Sequence, residues 1–414
     1  MVLQRSTSSC CSLMASFTQA HLRIIQINDV YELDYLPHFA TCRQQEALPA
    51  STDNVTIGVM AGDFLAPSLL SSLDKGAGMV DCLNLSQMDY VSIGNHEGDV
   101  PLAQFWNRIR ESKFTWINSN MDLACPTDVM LPKCKILAVG SKKVALLGLN
   151  TDDKAVFSPA AFDKCHIQPI DKCLAAMYAE LQDKVDLIIP MTHQLMPQDR
   201  TMAAKMCGEG TKMPLIVGGH DHEPYLENIN GCTVVKTGAD GKKIAVIDVK
   251  WVGDSTPPIV TVDLRDCKDW PADPAVAAAM EKHKAVLREL ELSRLCEIPK
   301  GVILSSKGIR LRPSTCGIFL CSILRDTACV DCCLIGAGSI RASRVYTDDE
   351  YFTYAHLKSE IPFQTNIVTL RLPGHVICDI ISFTRGMCSP SPYPLYTTDD
   401  MHTSYISYNS KPSL

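Results

Sequence analysis

The sequence predicts an α/β protein in two unequal parts, and three observations carry that prediction. From Leu22 onward, short apolar runs alternate with helical patterns, the signature of a layered α/β domain. Polar motifs recur directly after the apolar runs: Gly62-Asp63 follows Val59-Met60-Ala61, and Gly94-Asn95-His96-Glu97 follows Tyr90-Val91-Ser92-Ile93. Finally, a charged stretch with two prolines from Asp266 to Pro274, then an unbroken helical pattern from Ala275 to Leu292, separates a long first part from a shorter second one.

Taken in order, Leu22 to Ile27 reads as a strand ending in Asn28-Asp29-Val30-Tyr31, Leu36 to Arg43 as a short helix and Asn54 to Met60 as the next strand. Helical patterns follow at Met79 to Gln87 and Leu102 to Glu111, the latter opened by Pro101, which suits a first helical turn. Strands are expected at Thr115 to Asn118 and Val144 to Leu149. Val185 to Met191 should be a strand ending in Thr192-His193, and Leu215 to Val217 one ending in Gly218-Gly219-His220-Asp221-His222. Val234 to Lys236, Lys243 to Trp251 and Ile259 to Leu264 complete the first part. Beyond Glu297 the pattern gives a helix from about Ser314 to Asp326, a strand near Cys332 and another at Ile367 to Leu372. From Met387 the chain is aperiodic and reads as an irregular tail. The division expected is therefore 1–20 disordered, 21–265 first domain, 266–292 linker helix, 293–386 second, smaller domain and 387–414 tail.

Composition limits the function without naming it. With 46% hydrophobic and 21% charged residues the chain builds an ordinary globular core, and a net charge of −7 disfavours a nucleic-acid polymer as partner. Nineteen cysteines are scattered through a chain too long to need a disulfide framework. The Cys329-x-x-Cys332-Cys333 group lacks a second pair at metal-finger spacing and reads as a buried strand of small hydrophobes. No secretory core or membrane-length apolar stretch is found, so the expectation is a cytoplasmic protein without a membrane span.

Asp29, Asp63, Asn95, His193, His220 and His222 are all placed at strand ends. Capping of the following helices would account for Asp63 or Asn95 alone. Two imidazoles at i and i+2 after Gly-Gly, with a third upstream, are better explained by metal. Carboxylate, amide and imidazole donors suit Mn, Zn or Fe, and two such ions clamp a phosphoryl group and acidify a bound water. His96 is then placed to protonate a leaving oxygen and Asp99 to orient it.

The ordered motifs Asp29, Gly62-Asp63, Gly94-Asn95-His96-Glu97, Thr192-His193 and Gly219-His220-Asp221-His222 resemble those of the calcineurin-like metallophosphoesterases. With the second part, residues 22–385 resemble the 5'-nucleotidase/2',3'-cyclic phosphodiesterase family. The resemblance implies a four-layered α/β/β/α domain and a smaller α/β domain, here incomplete at its end. It implies one ion at Asp29, Asp63 and His222, a second at Asp63, Asn95, His193 and His220, and a His96-Asp99 catalytic dyad. Arg312 and Arg341 match its substrate-binding arginines, and Phe363 one of two aromatics that sandwich the base.

The departures are specific. Asp-x-His of the first motif is Asp29-Val30-Tyr31 here, so Tyr31 is either a phenolate ligand to a ferric ion or a bystander that leaves the site one ligand short. Gly98 replaces an aromatic, Gly336 replaces an Asn, and the segment bearing the second stacking aromatic is missing, at stake about 1–3 kcal/mol per stacked base. The expected function is metal-dependent hydrolysis of a small phosphate ester, foremost a nucleoside monophosphate. The alternatives are a phosphodiesterase on cyclic nucleotides or other esters, and a catalytically impaired binding or scaffold relative.

Overall fold

The computed structural model describes residues 20–158, 162, 165–208, 210–252, 257–309, 313–361, 367–386 and 404–408. The chain divides into two compact units, 1–284 and 285–414.

The first unit opens with β1 (His21–Ile27), α1 (Leu36–Gln45), β2 (Asn54–Ala61), α2 (Leu69–Asp74), α3 (Ala77–Leu85), β3 (Tyr90–Ser92), α4 (Leu102–Glu111) and β4 (Thr115–Ile117). β1 to β4 run parallel, with Ile27 level with Met60 and Ala61 level with Ser92. After a short pair, β5 (Met121–Asp122) with β8 (His166–Ile167), the second half supplies β6 (Cys134–Val139), β7 (Lys142–Asn150), α5 (Ile170–Leu181), β9 (Leu187–His193), α6 (Met196–Met206), β10 (Leu215–Gly219), β11 (Pro224–Ile229) and β12 (Cys232–Thr237). β7, β9, β10 and β12 are parallel, with antiparallel β6 and β11 at the edges. β13 (Lys243–Lys250) and β14 (Ile259–Asp266) return antiparallel to the edge of the first sheet.

The two six-stranded sheets stack through one dry core. Leu22, Ile24, Ile57 and Val59 of the first sheet meet Leu146, Ile189, Met191, Leu215 and Val217 of the second, all essentially without exposure. Fully burying one such side chain is worth about 1.5–3 kcal/mol, so this layer fixes how the sheets face each other. The far face of the second sheet is covered by α5 and α6 through Leu174, Met177, Met202 and Ala203. Ile25 and Ile27, one pleat out of step with Ile24, are equally buried on the far face of β1. A strand apolar on both faces belongs inside a covered parallel sheet, which is why the sequence showed continuous apolar runs rather than alternation.

α7 (Pro274–Leu292) follows. The second unit contains β15 (Arg294–Glu297), β16 (Leu304–Ser305), α8 (Thr315–Thr327), β17 (Cys332–Gly336), β18 (Val345–Tyr346), β19 (Tyr351–Thr353), α9 (Tyr354–Glu360), α10 (Gly374–Gly386) and β20 (Ser404–Tyr408). Two expectations are corrected here. Residues 367–372 form no strand: Ile367 and Val368 are about two-thirds exposed, and this β-branched run has no paired neighbour among the described residues. The region expected to be an irregular tail contains β20, which pairs antiparallel with β17 over Cys332 to Gly336. The described cysteines are free thiols; Cys332 and Cys333 stand in a strand as expected, but β17 is only half-buried there and Leu334 is exposed, so it is not the buried strand expected.

Candidate metal centre

The parallel strands of both sheets end at one rim. Asp29 lies two residues past β1, Asp63 two past β2, Asn95 three past β3; His193 closes β9 and His220 follows β10. Asp29 (φ 53°), Asp63 (φ 54°) and His220 (φ 81°) adopt left-handed backbone, uncommon for residues with a side chain and a mark of a constrained site. The turn at Gly219 leaves no room for a Cβ, which would lie 2.2 Å from the Ala61 carbonyl oxygen and 3.0 Å from the His193 Nδ1.

Hydrogen bonds fix each donor. His193 is fully buried, and its Nδ1 is 2.8 Å from the Ala61 carbonyl, a contact that joins the two sheets and leaves Nε2 as the outward nitrogen. That Nε2 lies 2.9 Å from Asp63 Oδ2 but without hydrogen-bond alignment. The Asn95 amide donates to the Val156 carbonyl at 3.0 Å, while its Oδ1 is buried with no partner. Asp29 accepts from the Asn28 amide at 2.7 Å and the His220 backbone N–H at 2.8 Å. Donor atoms of Asp63, His193 and His220 all lie within 4.8 Å of one another. An orphaned amide oxygen, an unaligned imidazole nitrogen and clustered buried carboxylates fit a divalent cation, because burying such groups unsatisfied is costly.

Burial and mutual charge govern these groups. Burial works against ionised Asp63, yet charged His193 beside it holds its carboxyl below the usual range. Burial also works against the imidazolium of His193, but Asp63 and Asp29 outweigh it and raise this group to about 10. Burial and the neighbouring His193 charge push His220 down to about 4. The carboxyl of Asp29 is pushed up by burial.

Tyr31 sits among the same groups. Its hydroxyl is 3.0 Å from the His222 Nε2 and 3.4 Å from both Asp29 Oδ1 and Asp63 Oδ2. His222 itself is largely exposed, with Nε2 3.8 Å from Asp29 Oδ1. Burial drives the phenol's ionisation upward.

His96 and Asp99 lie on one short turn of 3-10 helix, His96–Asp99, with Nδ1 and Oδ2 2.6 Å apart. The His96 backbone N–H donates to Asp63 Oδ1 at 2.8 Å, and the Ser158 hydroxyl donates to Asp99 Oδ1 at 2.5 Å. Burial lowers the imidazole's affinity for a proton, but the Asp99 bond and the Asp63 charge prevail and raise its pKa.

Glu97 closes the Gly94-Asn95-His96-Glu97 motif, and its role shows only in the fold. Its buried carboxylate accepts four backbone N–H groups, from Asp63, Phe64, Leu65 and Gly94, at 2.6–3.1 Å. It thereby pins the loops after β2 and β3 together. Ser158 gave no signal, since it lies outside any motif. In the second unit, Arg341 is exposed after a turn, its backbone N–H donating to the Glu360 carbonyl at 2.8 Å. Arg312 and Phe363 lie outside the described residues.

Residues 298–413 match the family model described as the 5'-nucleotidase, C-terminal domain. Over 354 residues the chain is 21% identical to the 5'-nucleotidase of Homo sapiens, covering 77% of this chain and 61% of that protein. The chain is thus similar to 5'-nucleotidases, with the family model matching its second unit. It spans about three-fifths of the length of that human relative. The fold agrees with this similarity. A 5'-nucleotidase precursor from Thermus thermophilus superposes with a TM-score of 0.62 at 17% identity, over 94% of this chain and 81% of that one. The calcineurin-like phosphoesterase YfkN from Bacillus subtilis gives 0.54 at 18% identity, over 66% and 98%. The chain thus shares the fold of these solved structures. No helix among the described residues is long and apolar enough to cross a membrane.

Proposed function

We propose that this 5'-nucleotidase relative hydrolyses phosphate esters, with a nucleoside monophosphate as the favoured substrate, at a metal centre on the shared rim of the two sheets. The observation that carries the reading is the His96-Asp99 pair, 2.6 Å apart and tied by a backbone bond to Asp63 within the donor cluster. A scaffold has no physical need for such a pair beside metal-type donors.

Asp63, Asn95, His193 and His220 would hold one ion and Asp29, Asp63 and His222 a second. Two such ions, when bound, neutralise phosphoryl charge and supply a nucleophilic water near neutral pH. Tyr31 joins the Asp29 side as an oxygen donor, supported by its equal 3.4 Å approach to both carboxylates. His96 acts as the proton donor to the leaving ester oxygen. Asp99 fixes the imidazole with Nδ1 protonated and leaves Nε2 to face substrate, and the Ser158 hydroxyl in turn orients Asp99. Arg312 and Arg341 of the second unit are the proposed substrate-binding arginines, and Phe363 its proposed base-stacking aromatic.

The test is metal analysis of the purified protein together with hydrolysis of p-nitrophenyl phosphate, bis-p-nitrophenyl phosphate and AMP, with and without added Mn²⁺. Bound metal with Mn²⁺-dependent release of phosphate from AMP is expected, and the preferred ester separates monoesterase from diesterase. Absence of turnover on all three under metal supplementation would overturn the reading.

A further inference from the structure

Lys236 stands in β12 directly after Val234 and Val235, yet its side chain is fully buried. Its ammonium donates to the Gln194 carbonyl at 2.6 Å and to the Gly219 carbonyl at 2.8 Å. It also pairs with Asp221 Oδ2 at 2.5 Å and Asp199 Oδ2 at 2.8 Å. Three of these four acceptors adjoin histidines of the rim: Gln194 follows His193, Gly219 precedes His220, and Asp221 separates His220 from His222. Asp221 Oδ2 further accepts the backbone N–H of Met196 at the start of α6, and the Gln194 amide donates to Asp199 at 2.8 Å.

Space is made for the lysine. A Cβ on Gly218 would lie 2.8 Å from Lys236 Cε and 3.0 Å from its Cγ. Neutralising a buried ammonium requires a carboxylate, but it does not require backbone carbonyls from two separate strand ends. Both carbonyls are reached at once only when the loops after β9 and β10 hold one relative position.

We propose that Lys236 is a positioning residue of the metal centre: its ammonium locks the loop after His193 to the loop carrying His220 and His222, so that affinity for the ion depends on it. This rests on the metal-centre reading above. Groups that orient metal ligands from behind typically carry about a 10–100-fold effect on affinity.

The full chain is titrated with Mn²⁺ by calorimetry, with ion content and thermal midpoint measured in parallel. The decisive variant combines Lys236→Gln with Asp199→Asn, which removes the lysine together with its fully buried carboxylate partner, keeps the net charge of the cluster and leaves Asp221 in place. It should unfold within a few degrees of the wild type, while binding Mn²⁺ about 10–100-fold more weakly. Gly218→Ala retains every charge and crowds only the lysine stem; it should weaken Mn²⁺ in the same direction, and it decides the matter if the double variant does not fold. Wild-type Mn²⁺ affinity in either folded variant would make Lys236 a mere charge partner and overturn the proposal. A wild-type protein that binds no Mn²⁺ would instead remove the metal-centre reading, and the role of Lys236 with it.

Discussion

The Nδ1 of His96 and the Oδ2 of Asp99 lie 2.6 Å apart across a single turn, and that contact decides which ring nitrogen is left for substrate. His96→Ala should lower kcat about 10²–10⁴-fold, the range of a lost general acid, without changing ion content. Asp99→Asn should lower kcat less than His96→Ala and leave KM nearly unchanged. Steady-state kinetics beside metal analysis checks both.

Tyr31 offers a second reading of the ion count. Removing its hydroxyl takes away the oxygen 3.0 Å from His222 and 3.4 Å from Asp29 and Asp63. Tyr31→Phe should reduce bound metal from two ions toward one per chain, with the remaining ion held by Asp63, Asn95, His193 and His220. Elemental analysis after dialysis gives the number directly, and two retained ions would return Tyr31 to the status of bystander.

Glu97 makes its case through stability. Glu97→Gln puts an NH₂ against backbone donors where a carboxylate oxygen now accepts. An unsatisfied buried donor costs about 1–3 kcal/mol, and denaturant unfolding should show a loss in that range together with weaker metal binding.

Acid sensitivity should arise far from the rim. Arg23 grips Asp248 with Nε at 2.7 Å and Nη2 at 3.0 Å, and His21 adds a third contact at 2.7 Å. Burial opposes ionisation of Asp248, but these partners prevail and bring it down to about 2. A carboxyl depressed in the folded state contributes stability above its unfolded pKa of about 3.9 and loses it as pH falls toward 2. Asp248→Asn should therefore cost about 1.5–3 kcal/mol at pH 7, with the gap to wild type closing between pH 4 and 2. Thermal midpoints across that range measure it.

Much of the first unit was legible because its strands are buried on both faces and end in polar motifs. Leu102 to Glu111 is a helix over the expected residues, and the strand ends at Asp63, Asn95 and His193 stand where the apolar runs stop. The edge strands Cys134–Val139 and Pro224–Ile229 were not expected: their mixed polar composition follows from having one neighbour and one solvated side. The site divides the same way. Residues that point donors at the rim carry motif spacing, whereas Ser158 and Lys236 act through contacts distant in sequence. Only Lys236 left a trace, as a charge directly after Val234 and Val235.

The seam between the sheets has a consequence for folding. The His193 ring bonds the Ala61 carbonyl, and the Gln26 amide reaches the Gly218 and Val235 carbonyls, so the donor set is completed only after two separately wound halves have docked. An ion that binds the docked form alone would add about 2.7 kcal/mol at a hundredfold excess over its dissociation constant. Chelation would then remove that increment from a seam the apolar layer still holds, and hydrogen exchange would register it as a loss of protection concentrated at the rim ends of the strands.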